Sequence, residues 1–204
     1  MLQYLEAFVL LGAVIDPVGT LPVFIAVTRG RSEREQHRIA RRAVLIAGGI
    51  LLGFIAVGQP ALALMNVPLA AFQISGGLIL FLFALTMVFG EGKPQREIDA
   101  EPHAHDLAVF PLAVPSIASP GAMMAVVLLT DNARYSFVEQ AVTTLILVLI
   151  LLITLLLLLA APRLHRLLGD SGASIVSRVM GLILASVATT HVLEGIQEFF
   201  RMSR

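Results

Sequence analysis

The stretch that decides the fold of this chain is IDPVGTLP, residues 15–22. It lies inside an apolar run, residues 7–28, whose only formal charge is Asp16. About 20 apolar residues cross a bilayer as a helix, and a carboxylate at the centre of such a span is costly. Pro17 and Pro22 lack a backbone N–H and interrupt the helical hydrogen bonding. Irregular backbone is tolerated at membrane depth only where protein buries it or a wet cavity borders it. We therefore predict a discontinuous membrane helix whose break forms part of a site.

The composition places the chain among membrane proteins. Hydrophobic residues make up 57% of it, charged residues 14%, and the mean hydropathy is +0.89. The formal net charge is zero and no basic stripe is interleaved with aromatic residues, which argues against a nucleic-acid partner. Because the chain has no cysteine, disulfides, thiol catalysis and cysteine metal sites are excluded. The expected partners are the lipid bilayer and a small-molecule substrate.

Six apolar runs are long enough to cross a bilayer as helices. They lie at about residues 5–28, 42–64, 68–89, 108–130, 138–161 and 178–200. Pro162 is expected to end the fifth span. A linker rich in proline and charge, residues 91–107, divides the chain into two three-helix halves of one membrane domain, residues 1–90 and 108–204.

The two halves resemble each other. The tetrapeptide Gly-Leu-Ile-Leu occurs at residues 77–80 and again at 181–184, 104 positions later. Asp16 and the proline after it are matched by Ser119 and its proline, 103 positions later. An odd number of spans in each half means that the second half is inserted upside down. The predicted fold is an all-α membrane protein of six transmembrane helices, arranged as two inverted three-helix repeats with proline-broken first and fourth helices.

The distribution of positive charge predicts the orientation. Eleven Lys and Arg residues follow the first, third and fifth spans, whereas three follow the second, fourth and sixth. Cytoplasmic segments carry the excess of positive charge. The linker is therefore predicted to be cytoplasmic, and both termini are predicted to lie outside.

The two proline breaks have the chemistry of a ligand site. Asp and Ser are preferred helix N-caps and proline is favoured at the first helical position, so each break is predicted to begin a half-helix. A helix N-terminus favours a carboxylate, which suits a zwitterion with its carboxylate near Ser119 and its ammonium near Asp16. Alternatively, both residues only cap their helices. The candidate substrate-binding residues are Asp16, Pro17, Gly19, Thr20, Ser116, Ser119, Pro120 and Gly121.

Six further residues are candidates for positions around this site: Gln73, Ser75, Gly76, Gly77, Arg178 and His191. The paired glycines favour close helix packing over contact with a ligand, and Arg178 is typical of a snorkelling charge at a span end. His191 shares a helix face with Glu194. This pair is either a proton relay or, more simply, a solvated pair near the outer headgroups.

No metal site and no resident cofactor are predicted. His103 and His105 lie near Glu101 and Asp106 at a spacing that a metal would accept, but a polar linker explains them without one.

Four motifs in order carry a resemblance to a known family: DPVGTLPVF at 16–24, QISGG at 73–77, PLAVPSIASPG at 111–121 and SRVMG at 177–181. Over nearly its whole length the chain resembles the MarC family of integral membrane proteins, also called the small neutral amino acid transporter family. The resemblance implies six spans in a bacterial or archaeal inner membrane and transport of small neutral amino acids such as glycine and alanine. Gln73 and Asp16 depart from the pattern, in which some relatives are expected to carry Arg and Asn.

The sequence therefore favours a secondary transporter that works by alternating access at a midplane site, with proton or sodium coupling and with homo-oligomerisation left open. A channel would need a continuous polar stripe that the second and fifth spans do not offer, and an exporter of other small molecules is a further alternative. An enzyme such as an intramembrane hydrolase would need a base beside a serine, yet Asp16 is the only formal charge near a span centre. A membrane protein without a substrate would not require matched breaks.

Overall fold

The computed structural model describes residues 2–89 and 106–202, and every regular element within them is a helix. The elements are α1 (Leu2–Ile15), α2 (Pro17–Val27), α3 (Glu33–Leu64), α4 (Leu69–Phe89), α5 (Ala108–Ile117), α6 (Pro120–Leu129), α7 (Phe137–Leu159) and α8 (Ala161–Met202). The predicted linker, with His103 and His105, lies outside the described residues except at its last two positions.

The predicted all-helical fold with several spans is confirmed. Among the described residues, five helical stretches are long and apolar enough to cross a membrane, and the bent pair α5–α6 makes up to six. Helices α1 and α2 follow one path, Gln3–Val27, whereas α5 and α6 meet at an angle of 54°. Helix α5 is irregular because Phe110 and Val114 are extended. Each precedes a proline, whose ring disfavours the α-helical conformation of the residue before it.

Helix α3 begins earlier than its predicted span, and this bound is corrected. It starts at Glu33 instead of residue 42, because Ser32 caps it in a polar region that the hydropathy pattern does not mark as a span. The fifth span, α7, ends at Leu159, close to the predicted residue 161, and Pro162 lies in the first turn of α8, where its missing N–H costs nothing. Helix α8 itself starts at Ala161, but among the described residues its candidate membrane span is Arg178–Arg201, in agreement with the predicted 178–200.

Burial separates the broken helices from the outer ones. The path of α1 and α2 is the most buried of the candidate spans, and six of the ten residues of α6 are buried. Helices α3, α4, α7 and α8 expose large apolar side chains, including Leu45, Leu82, Leu156 and Leu182. Such surfaces are costly in water and suit the acyl chains of a bilayer. The broken helices therefore form the centre and the four long helices form the lipid-facing wall.

Contacts between the two halves follow an exchange of equivalent elements. Helix α1 packs against α6 and α7, and its equivalent α5 packs against α2 and α3. Helix α2 contacts α7 and α8, and its equivalent α6 contacts α3 and α4. Helices α3 and α7 contact each other, as do α4 and α8, which share the most extensive interface in the described part of the chain. This exchange is what a twofold arrangement of repeats requires.

Gly77 marks a close approach within the interface of α4 with α8. A Cβ at this position would lie 2.8 Å from Val192 Cγ2 and 3.1 Å from the carbonyl oxygen of Ala188. Both distances are shorter than an ordinary van der Waals contact. Gly77 is therefore needed because the α8 backbone approaches α4 closely here.

Gly181 of α8 makes the reciprocal contact with α4. A Cβ there would lie 2.9 Å from Val88 Cγ2 and 3.0 Å from the carbonyl oxygen of Ala84. The earlier of these α4 residues thus meets the later residues of α8, and the later α4 residues meet the earlier part of α8. The two helices are therefore antiparallel. Leu80 and Leu184 of the repeated tetrapeptide are both buried, at 1% and 0% exposure. These observations support the inverted repeat, whose orientation across a bilayer stays a prediction.

A further repeat, which the sequence analysis missed, lies at the starts of α3 and α7. Ser32 and Glu35 form a capping box in which the Glu35 carboxylate accepts a hydrogen bond from the Ser32 backbone N–H at 3.0 Å. Ser136 and Glu139, 104 positions later, form the same box at 2.8 Å. The pattern Ser-x-x-Glu before an apolar run is the signal that marks this box in a sequence. The two capping boxes therefore begin α3 and α7 at equivalent points of the two halves.

Replacing Gly77 or Gly181 by Ala is expected to lower the free energy of unfolding by about 1–3 kcal/mol, because each new methyl group would overpack the α4–α8 interface. The measurement is the denaturation midpoint of the purified protein in detergent. Gly53→Ala is the matched control, since no described atom lies within 4 Å of its added Cβ. Equal stability of all three variants would contradict the interface.

Candidate functional site

Asp16 connects α1 to α2 and caps the second of these helices. Its backbone is left-handed, with φ 49° and ψ 68°, a conformation that Asp tolerates better than most residues. Its Oδ1 accepts a hydrogen bond from the Gly19 backbone N–H at 2.9 Å, and Pro17 occupies the first helical position. A Cβ at residue 19 would overlap the Asp16 carboxylate, which explains the glycine. The predicted cap is confirmed.

Ser119 plays the equivalent part between α5 and α6. Its Oγ accepts a hydrogen bond from the Ala122 backbone N–H at 3.1 Å, and Pro120 occupies the first helical position. The same hydroxyl donates to the carbonyl oxygen of Val14 at 3.1 Å. Val14 lies in the last turn of α1, where carbonyls lack partners in their own helix. One serine therefore caps the second break and satisfies the backbone of the first.

A second pair of hydroxyls links α2 to α5. Ser116 Oγ donates to Thr20 Oγ1 at 3.2 Å, and Thr20 Oγ1 donates to the carbonyl oxygen of Asp16 at 3.1 Å. The exposed fractions of Asp16, Thr20, Ser116 and Ser119 are 1%, 0%, 0% and 1%. We call these four residues the break cluster. The two proline breaks, which are 103 residues apart in sequence, thus meet in one buried polar cluster.

The glycines of the predicted site and its surroundings serve helix packing. The Cα of Gly121 faces Leu80 of α4, and the Cα of Gly76 faces Met124 of α6, so that α4 and α6 approach each other at both positions. Ser75 lies on the exposed face of α4. It does not surround the buried break cluster, because its neighbours Gly76 and Gly77 take the inward positions of that helical turn. Arg178 is exposed at the start of the membrane span of α8.

Gln73 and His191 come together with Glu194 in a different place. Gln73 Nε2 donates to Glu194 Oε2 at 3.2 Å, and His191 Nδ1 lies 3.7 Å from the same oxygen. A small cavity of about 90 Å³ is lined by all three residues and by Asp131 and Arg134 of the connection between α6 and α7. We call Gln73, His191 and Glu194 the α4–α8 polar triad.

A larger cavity, of about 430 Å³, lies beside the triad. It is bordered by the first residues of α1, by the end of α6, by the start of α7 and by α8. Its titratable lining residues are Tyr4, Glu6, Tyr135, Glu139, His191 and Glu194. Leu10 of α1, in the turn before the one that leads to Asp16, forms part of the wall. A compartment with titratable groups in its wall therefore reaches into the half of the protein on one side of the break cluster.

Polar contacts hold the connection between α6 and α7 against two neighbouring helices. Gln59 of α3 donates to Asp131 Oδ1 at 3.3 Å. Arg134 lies 3.5 Å from Asp131 Oδ2 and 3.8 Å from Glu198 Oε2 of α8. The sequence analysis missed this group because its members are far apart in the chain and lie outside apolar runs. The only advance signal was a cluster of polar residues, 130–136, between the fourth and fifth spans.

Ser119→Ala is expected to lower the free energy of unfolding by about 1–2 kcal/mol, because it removes a helix cap and leaves the buried Val14 carbonyl without the hydroxyl. Denaturation of the purified protein in detergent measures this loss of stability. Ser186→Ala is the control, since that exposed hydroxyl bonds only within α8 in the described structure. A loss no greater than that of the control would contradict the role of Ser119.

Gly19→Ala is expected to cost about 1–3 kcal/mol in the same measurement, because the new methyl group would displace the Asp16 carboxylate from its cap. Gly12→Ala, in α1, meets no described atom within 4 Å and is expected to be neutral or stabilising. Similar stabilities of the two variants would show that the carboxylate does not lie over residue 19.

Comparisons with known proteins agree with this architecture. A UPF0056 membrane protein of Methanocaldococcus jannaschii is 34% identical over 96% of this chain and 97% of its own length. The UPF0056 inner membrane protein YhgN of Escherichia coli is 32% identical over 98% of this chain and its own full length. A UPF0056 membrane protein of Archaeoglobus fulgidus is 31% identical over 96% of this chain and 92% of its own length. No solved structure matches the chain.

The family comparison covers almost every residue. Residues 1–200 match the description "MarC family integral membrane protein". The match includes both proline breaks, both capping boxes and the α4–α8 interface, and it agrees with the apolar outer faces of the long helices. The lipid bilayer is therefore the environment of this protein, which belongs to the MarC family of integral membrane proteins.

Proposed function

We propose that this protein is a secondary transporter of small solutes in the inner membrane of a bacterium or archaeon, with both termini outside. The observation that carries the proposal is the meeting of two proline breaks in the buried break cluster. Broken helices that meet near the midplane are how many secondary transporters build their substrate site. The resemblance to the family suggests small neutral amino acids, such as glycine and alanine, as the substrate class.

The cap geometry indicates how a zwitterion would bind. In each half-helix, proline at the first position has no N–H, and the cap occupies the amide of the third residue, Gly19 or Ala122. The amide of the second residue, Val18 or Gly121, has no acceptor in its own helix. A substrate carboxylate would take the Gly121 amide at the positive end of α6. Its ammonium group would lie towards the Asp16 carboxylate.

The burial of the cluster supports alternating access over an open pore. All four members are at most 1% exposed, so in this conformation the cluster is closed off from solvent. The cavity of about 430 Å³ approaches from the side of the α6–α7 connection. A movement between the two halves along α4 and α8 would open the cluster to that cavity and then to the opposite side. A channel or an exporter of other small molecules is the second candidate, favoured by the titratable residues that line the same cavity.

Uptake of labelled glycine and alanine by the purified protein in liposomes tests the proposal, with and without proton and sodium gradients. Saturable uptake above that of empty liposomes is expected. Asp16→Asn should lower uptake at least about tenfold, the loss expected when a ligand loses a charged partner worth 1.4 kcal/mol or more. Asn also caps helices and tolerates the left-handed conformation, so this change removes the charge and keeps the fold.

Glu33→Gln is the matched control, because it makes the same chemical change at a carboxylate that is 76% exposed. Its uptake should equal that of the unaltered protein. Normal uptake by Asp16→Asn would exclude Asp16 from substrate binding. Non-saturable flux of unrelated solutes would favour the channel, and the absence of any flux through a folded protein would contradict transport.

A further inference from the structure

His191 is an unusual residue for a membrane span. Its side chain is 14% exposed, and neither ring nitrogen has a hydrogen-bond partner among the described residues. Leaving buried polar atoms unsatisfied costs free energy, so such an atom in a native protein calls for a functional explanation. Its Nδ1 lies 3.7 Å from Glu194 Oε2, just beyond hydrogen-bond distance.

The Glu194 carboxylate has a second neighbour, from the other half of the protein. Gln73 Nε2 of α4 donates to the same Oε2 at 3.2 Å. Gln73 is buried at 4% exposure, whereas the Glu194 side chain is 56% exposed and lines the cavity of about 430 Å³. Glu194 Oε2 therefore lies between the His191 imidazole of α8 and the Gln73 amide of α4. The cavity that Glu194 lines gives protons a route to this carboxylate.

We propose that His191 and Glu194 form the site at which this protein takes up its coupling proton, an inference that rests on the transport function proposed above. A neutral imidazole leaves the Glu194 carboxylate to Gln73, which ties α8 to α4. A proton from the cavity adds to a ring nitrogen of His191, and no other bond breaks. Both ring nitrogens are then donors, and the cation attracts the Glu194 carboxylate. The ion pair competes with the Gln73 hydrogen bond and releases one end of the α4–α8 interface.

Charged and titratable groups from several elements surround His191. Helix α4 contributes the uncharged Gln73 to the cavity walls around the imidazole, and Arg134 is the one guanidinium in the described lining of the two cavities. The remaining titratable groups that border these cavities are Tyr4 and Glu6 of α1, Asp131 and Tyr135 of the α6–α7 connection, Glu139 of α7 and Glu194 of α8. Carboxylates therefore outnumber the guanidinium around the imidazole.

Two transport measurements on the same liposomes test the proposal. Exchange of labelled for unlabelled substrate needs the substrate site, whereas accumulation driven by a proton gradient also needs proton uptake. His191→Gln and Glu194→Gln should retain exchange within about twofold and lose gradient-driven accumulation at least about tenfold, which is the cost of losing 1.4 kcal/mol or more of coupling. Gradient-driven accumulation by His191→Gln at the rate of the unaltered protein would overturn the proposal.

His37→Gln is the matched control. His37 lies 4.0 Å from Glu33 on an exposed face of α3, so the pair has the same residue types and a similar sequence spacing outside the cavity. This variant should keep both exchange and gradient-driven accumulation. If the unaltered protein exchanges no solute, the proposed transport function fails by that result alone, and the proton site is then decided by the following measurement.

Nuclear magnetic resonance of the protein with isotope-labelled histidine, in lipid nanodiscs, reports proton binding without any substrate. The resonance that His191→Gln removes should titrate with pH, and Glu194→Gln should move the midpoint of that titration. His37→Gln should leave it unchanged. A His191 resonance that does not titrate, or whose midpoint Glu194→Gln leaves unmoved, would refute the proton site whether or not the protein transports amino acids.

Discussion

The hydrogen bond from Ser119 Oγ to the carbonyl oxygen of Val14 is the contact on which the centre of the structure depends. Proline interruptions free backbone groups, and a bilayer interior offers no water to satisfy them. The protein solves this problem by bringing its two interruptions together, so that the cap of one supplies a donor to the other. The same meeting brings Asp16, Thr20 and Ser116 into one hydrogen-bonded group. A polar site at membrane depth is thus a consequence of how the broken backbone is satisfied.

The packing of the long helices is what allows the breaks to meet. Gly77 and Gly181 hold α4 and α8 in a close antiparallel crossing, and equivalent elements of the two halves make exchanged contacts around it. The capping boxes at Ser32 and Ser136 start α3 and α7 at equivalent points. The broken helices are then enclosed by four long ones whose outer faces are apolar. The two breaks differ in their bend, which is 54° between α5 and α6 whereas α1 and α2 follow one path.

The polar residues beside the break cluster add an asymmetric element to this plan. The α4–α8 polar triad and the Arg134 contacts lie on the side of the α6–α7 connection, where the larger cavity also lies. The break cluster itself is closed. The protein thus has a cavity lined by titratable groups on one side and a buried polar centre beside it. This arrangement is expected when a proton and a solute use neighbouring sites. The two proposals therefore concern different residues, and separate measurements test them.

Much of the architecture could be predicted from residue order alone. The apolar runs predicted the membrane-spanning helices, and Asp-Pro and Ser-Pro predicted the two caps, because a cap is made with amides three residues away. The start of α3 was misplaced and the extension of α8 before its membrane span was not predicted, since hydropathy reports the lipid-facing part of a helix and these helices continue beyond it. The tertiary structure alone decided that Ser119 reaches Val14, that Ser75 faces outward and that Gln73 and His191 share Glu194. These contacts depend on crossing angles and on the depth at which distant helices meet, and neither quantity is encoded within a few neighbouring residues.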